Sequence, residues 1–154
     1  VTPHTSATYG LLALLAIVLL AAAVGDWRHR LIRNRLNATI AAGAPLFWLA
    51  IGMEPWPGMA LQLGLALLVL AICAALFALR MLGGGDAKLL AALALWVPPP
   101  AFAELVLVMA LAGGVLAAVM LIGGPRLAAN RPAGLPYGIA IAAGGLWVLP
   151  TLSA

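Results

Sequence analysis

Acidic side chains are scarce in this sequence: Asp26, Glu54, Asp86 and Glu104 are all of them, against eight Lys or Arg. With 8% of residues charged and 66% apolar, too few polar side chains are present to cover a water-soluble domain of 154 residues. Lipid makes a different demand, that backbone groups pair within the chain, and apolar helices meet it. Cysteine occurs once, at Cys73, which excludes a disulfide framework and a multi-cysteine zinc site. No alternation of apolar and polar residues marks a membrane β-barrel. The basic residues fall in short clusters between apolar runs, without interleaved aromatics for bases to stack on. They read as topology signals, and nucleic acid is not expected as a partner.

What is present is apolar sequence in long pieces, at 8–25, 36–52, 58–82, 87–97, 101–124 and 138–152, separated by joints bearing Pro, Gly or Arg. The expected class is all-α: a polytopic membrane protein of about six helices with short loops, forming one domain over residues 1–154. The sequence opens at Val1, and its first run is too long for a signal-peptide core and follows no basic residue, so it is expected to be retained as a span. Gly64, Ala74, Ala112, Gly113 and Gly114 are candidates for close helix packing. Trp27, Trp48, Trp56, Trp96 and Trp147 fall near span ends, where an aromatic belt is expected.

The fourth run is short, since eleven residues give ~17 Å of helix against a hydrocarbon core of ~30 Å. If it crosses, Arg28, Arg30, Arg33, Arg35, Arg80, Lys88, Arg126 and Arg131 share one side, with Glu54 and Glu104 on or toward the other. The positive-inside rule prefers that arrangement, with the basic side cytoplasmic. A helix so short begins below the membrane surface, which places the irregular Gly83-Gly84-Gly85 and Asp86 beside a water-filled cavity.

Asp26 follows the first span and Asp86 precedes the fourth, so both carboxylates are expected at the same end of the bundle. An ionisable group at membrane depth points to function. Each also has a structural reading: Asp86 as the N-cap of its helix, Asp26 as an ion pair with Arg28 or Arg30 or as the cap of a following helix. Two adjoining carboxylates sharing one proton can activate water and protonate a carbonyl oxygen together, which is what peptide-bond hydrolysis requires. His4 and His29 stand too far apart, with too few carboxylates, to suggest a metal site.

The segment Gly83-Gly84-Gly85-Asp86-Ala87-Lys88 resembles the GxGDxK motif of prepilin peptidases. Asp26 followed by Ile32-Arg33-Asn34 resembles the family's first-aspartate segment, with Arg33 where Pro is usual. Leu135-Pro136-Tyr137-Gly138 is similar to the Pro-Tyr-Gly near the last helix of the small Flp/Tad-type members. The resemblance implies an aspartyl peptidase that removes the basic leader from prepilins or pseudopilins at the cytoplasmic face of the bacterial inner membrane, working beside a pilus assembly machinery and needing no cofactor. It implies Asp26 and Asp86 as the catalytic pair, with Gly83, Gly85, Lys88, Asn34, Pro136 and Tyr137 as motif or substrate-binding residues. The larger members carry a cysteine-bearing domain and methylate the new N-terminus; with Cys73 alone, cleavage without methylation is expected.

Two other readings compete. A small ion- or proton-coupled transporter would use buried carboxylates as a coupling site, but it predicts matching halves, and no second Gly-Gly-Gly-Asp stands in the first half. A non-catalytic membrane subunit of a secretion assembly would leave both Asp residues incidental.

Overall fold

The computed structural model describes residues 3–128 and 135–152, with side chains over 6–123 and 135–152. Arg131 lies outside the described residues, as do the side chains of His4 and Arg126. Six α-helices follow in order: α1 Pro3–His29, α2 Asn34–Ala50, α3 Ala60–Ala78, α4 Gly84–Ala94, α5 Pro99–Ala128 and α6 Tyr137–Val148. The described residues contain no strand.

Among the described residues three segments are long and apolar enough to cross a membrane, Ser6–His29, Pro55–Ala78 and Pro99–Gly123. They are also the segments least buried by the rest of the protein. Large apolar side chains such as Ile17, Leu67, Leu107 and Leu121 project outward from them, as expected where lipid is the solvent. The two short helices occupy the centre. Most of α4 is buried, including Leu89, Leu93 and Ala94, and so is most of α6, including Ala140, Ile141 and Val148. Helix α4 packs against α2, α3 and α6, while α6 packs also against α1 and α5.

Close approach around α6 depends on glycine. A Cβ at Gly144 would stand 2.5 Å from the Leu105 carbonyl oxygen on α5, and one at Gly145 would stand 2.9 Å from Leu19 on α1. Of the small residues expected to serve this role, Gly113 faces Ala140, whereas Gly64 and Gly114 have open space where a Cβ would go. Their faces of α3 and α5 look outward.

A helix that ends inside a protein leaves its last carbonyls to find donors elsewhere. At the end of α4 those donors are side chains. Gln62 Nε2, from α3, donates to the carbonyls of Ala94 (2.9 Å) and Val97 (2.7 Å). Trp48 Nε1, from α2, donates to the Leu95 carbonyl at 2.8 Å. In return Trp96 Nε1 donates to the Ile40 carbonyl at 2.7 Å, its ring stacked 5.0 Å from that of Phe47. Trp48 and Trp96 are therefore core residues, unlike the belt expected of them. Trp27, Trp56 and Trp147 are exposed.

Three helix ends are closed by an αL residue, the first of them α1 by Arg30 (φ 53), whose N–H donates to the Asp26 carbonyl. Gly52 (φ 67) ends α2, and the N–H groups of Gly52 and Met53 donate to the carbonyls of Leu49 and Trp48. Arg80 (φ 59) does the same for α3, through Arg80 to Phe77 and Met81 to Leu76. The chain thereby turns sharply into Gly83 and α4.

Candidate active site

Asp26 sits in the last turn of α1, which runs one turn beyond the apolar run that announces it. There the negative end of the α1 dipole opposes a carboxylate. A second helix offsets this. The Gly138 N–H donates to Asp26 Oδ2 at 2.8 Å, and the Ile139 N–H also bonds the carboxylate, so Asp26 caps the N-terminus of α6 from across the bundle. The helix it caps is the last in the chain and not the next one. Asp26 is 6% exposed and makes no ion pair with Arg28.

Asp86 is the third residue of α4. The extended residue that caps the helix is Gly83 (φ −71, ψ 144), and Gly84 and Gly85 are already helical, so the stretch expected to be irregular reduces to one residue. The Asp86 carboxylate reaches back to the Gly83 N–H, the second half of a capping box. Burial pushes the Asp86 carboxyl up to about 6, and the nearby charge of Asp26 adds to the rise, against the pull of the Gly83 N–H.

Both carboxylates line one cavity of about 420 Å³, walled by Arg30, Ile32, Asn34, Gly83, Gly85 and Lys88 among others. Each stands at the positive end of a helix, Asp26 at α6 and Asp86 at α4. Two dipoles thus help the pair to hold negative charge where water is scarce. Among the described residues no three His, Cys, Asp or Glu side chains gather as a metal-ligand set. Glu54 and Glu104 are exposed, Glu54 after α2 and Glu104 early in α5, apart from the cavity.

The remaining motif residues fall into distinct places. Gly83 leaves room for Asp86, whose Oδ2 would lie 2.7 Å from a Cβ there. Gly85 lets α4 close on Ile32, 3.2 Å from where its Cβ would be, and its carbonyl accepts a hydrogen bond from Asn37 Nδ2 at 3.2 Å. Lys88 Nζ donates to Asn34 Oδ1 at 3.0 Å, tying α4 to the start of α2. Pro136 is buried as the cap residue of α6, and Tyr137 is half-exposed beside it. Neither lines the cavity. From that segment it is the Gly138 backbone that meets Asp26, and a Cβ there would stand 2.9 Å from Asp26 and from Ile32.

Sequence reasoning missed two contributors and offered a third, Arg30, only as an ion-pair candidate for Asp26. Besides Gly138 there is Asn37, 5% exposed, which holds the Gly85 carbonyl. The third is Arg30, at φ 53, a backbone strain of about 1–3 kcal/mol for a residue with a Cβ. Its guanidinium lines the cavity and attracts Asp26 electrostatically, yet its buried Nε, Nη1 and Nη2 find no hydrogen-bond partner among the described residues. The signal available for it was its place four residues after Asp26.

A family model described as the type IV leader peptidase family matches residues 13–122, a stretch that contains Asp26 and the whole of Gly83–Lys88. Neither a curated protein nor a solved structure matches the chain.

Proposed function

The chain belongs to the type IV leader peptidase family, and from that membership we propose that it is an aspartyl endopeptidase that cuts the leader from prepilins at the cytoplasmic face of the inner membrane. The observation that carries the reading is the convergence of Asp26 and Asp86 on one cavity. Below about pH 6 Asp86 keeps the proton in the free enzyme, because burial and the neighbouring charge both disfavour its ionised form. Asp26, which accepts the Gly138 N–H and lies near the Arg30 charge, takes the role of the base.

A water held between the two gives its proton to Asp26 and attacks the scissile carbonyl carbon, while Asp86 protonates the carbonyl oxygen. The tetrahedral intermediate then collapses with proton return to the leaving amine. Asp26 gains a proton from water as Asp86 gives one to the carbonyl oxygen, so net charge in the cavity stays constant through attack. The cytoplasmic assignment rests on charge, since Arg28, Arg33, Arg35, Arg80 and Lys88 cluster at the cavity end of the helices. The Flp/Tad-type placement rests on the Pro136-Tyr137-Gly138 segment, which lies beyond the matched stretch.

Co-expression with a candidate prepilin, followed by mass measurement of its new N-terminus, tests the reading. Asp26→Asn keeps an oxygen for the Gly138 N–H and Asp86→Asn keeps one for Gly83, so both variants should insert and fold while losing all cleavage. Full processing by either one rejects the dyad. The same mass distinguishes cleavage alone, which is expected, from cleavage with methylation. For sidedness, single cysteines at Gly84 and Met53 in a Cys73→Ala background should label from opposite faces. Labelling of position 84 from the outer face alone reverses the topology.

A further inference from the structure

The first span, Ser6–His29, ends beside a hollow of about 560 Å³ enclosed by α1, the connection that follows it and the start of α2. Along α1 the lining falls in two i, i+4 rows, Leu20-Val24-Arg28 and Ala21-Gly25-His29, so each row is apolar or small until its last residue and basic there. Leu31 and Leu36 close the other side, and Arg33 between them adds a third basic group. Gly25 brings the sides together: a Cβ there would stand 3.3 Å from the Leu31 carbonyl oxygen, so its absence lets the connection fold close over α1. No carboxylate lines the hollow. Asp26 and Asp86 line the dyad cavity, and Glu54 and Glu104 line neither.

We propose that this hollow binds the head and upper acyl chains of an anionic phospholipid; the site stands independently of the peptidase reading. Arg28, His29 and Arg33 are exposed and have no acid beside them, and a guanidinium grips the two oxygens of a phosphate in its planar fork. The apolar part lies on the span side of these groups. From Leu20 to Gly25 it rises ~8 Å along the helix, into the depth where hydrocarbon replaces headgroups. A molecule that fills both parts is anionic at one end and hydrocarbon at the other. Free phosphate would satisfy the basic end and leave the apolar rows without a partner, whereas a zwitterionic lipid brings its own cation to a cationic rim. Leu31 and Arg33 line the dyad cavity as well, so a lipid held here braces one of its walls.

The test uses the full chain in uncharged detergent, titrated with phosphatidylglycerol or phosphatidylcholine and followed by native mass spectrometry. One phosphatidylglycerol should be retained at least ~10-fold more tightly than phosphatidylcholine. A basic residue near an anionic lipid contributes about 5-fold, so Arg28→Gln and Arg33→Gln should each weaken phosphatidylglycerol by that factor and together by at least ~10-fold. Arg80→Gln removes the same charge just after α3, outside the hollow, and should change binding less than ~2-fold. Ala21→Trp fills the apolar part without touching a charge and should also weaken binding at least ~10-fold. All four substituted side chains are exposed, and the unfolding midpoint without lipid checks that each variant is folded. Equal affinity for the two lipids, an equal loss from Arg80→Gln, or full affinity in Ala21→Trp overturns the site. Inorganic phosphate that raises the unfolding midpoint of the native chain as far as phosphatidylglycerol does overturns a lipid as its ligand.

Discussion

Gly138→Ala adds one methyl group, and the structure says where it lands. A Cβ at position 138 would lie 2.9 Å from Asp26 Cβ, from Asp26 Oδ2 and from Ile32 Cδ1 together. All three belong to packed surroundings, so the start of α6 has to retreat or the Asp26 side chain has to turn. Either motion lengthens the 2.8 Å hydrogen bond from the Gly138 N–H. Weakening a bond to a charged acceptor costs about 1.5–3 kcal/mol, and an overpacked methylene adds about 1–3 kcal/mol. The larger effect falls on catalysis, because a reacting group misplaced by ~1 Å can lose ~100-fold in rate. Gly138→Ala should therefore lower kcat about 100-fold or more, with little change in KM, in a vesicle assay that follows prepilin cleavage by mass. Gly114→Ala is the matched control: it makes the same substitution in a helix where the new Cβ meets nothing within 4 Å, and activity should stay within ~2-fold. If both variants keep native kcat, the α6 N-terminus does not position Asp26 for catalysis.

Three further outcomes follow from the same geometry. Because the Asp86 carboxyl is raised to about 6, it loses its proton as pH climbs through that value, and kcat/KM should fall on the alkaline side; a profile still flat to pH 8 contradicts the assignment of the proton to Asp86. Asp26→Asn removes the neighbouring charge and should move the Asp86 titration downward, measurable by the infrared carbonyl band of the protonated acid. Gln62→Leu strips the carbonyls of Ala94 and Val97 of a buried donor and should cost about 1–3 kcal/mol each, seen as a lowered unfolding midpoint in detergent, whereas Lys88→Met breaks an exposed bond to Asn34 and should cost no more than about 1 kcal/mol.

Much of the architecture was legible because lipid imposes a simple rule: apolar runs become helices, and six runs became six helices. The convergence of Asp26 and Asp86 on one cavity was legible for a related reason, since two Asp residues are all the sequence contains and each sits beside a helix end. The capping details were not. Asp86 reads as an N-cap by adjacency, yet Gly83 takes that place, and its lack of a Cβ leaves the room into which the Asp86 carboxylate folds back. Gly138 contributes a backbone N–H, a group every residue but proline has, so no residue type announces it. Trp48, Trp96 and Gln62 resemble membrane-edge residues one at a time. Their roles exist only once α4 ends inside the protein and its carbonyls need donors. Arg28 and Arg30 stood as equal ion-pair candidates for Asp26 until the fold buried the Arg30 guanidinium and left Arg28 outside.

The stitching of α4 at its far end shapes how the carboxylates can meet. Gln62 and Trp48 pin the Ala94–Val97 end to two neighbouring helices, while the Asp86 end is held by the single bonds from Asn37 and Lys88. A rod fastened at one tip pivots there. Over eleven residues, or ~17 Å, a tilt of about 5° carries the free tip through ~1.5 Å. A tilt of that size at the less fastened tip is enough to change how closely Asp86 stands to Asp26.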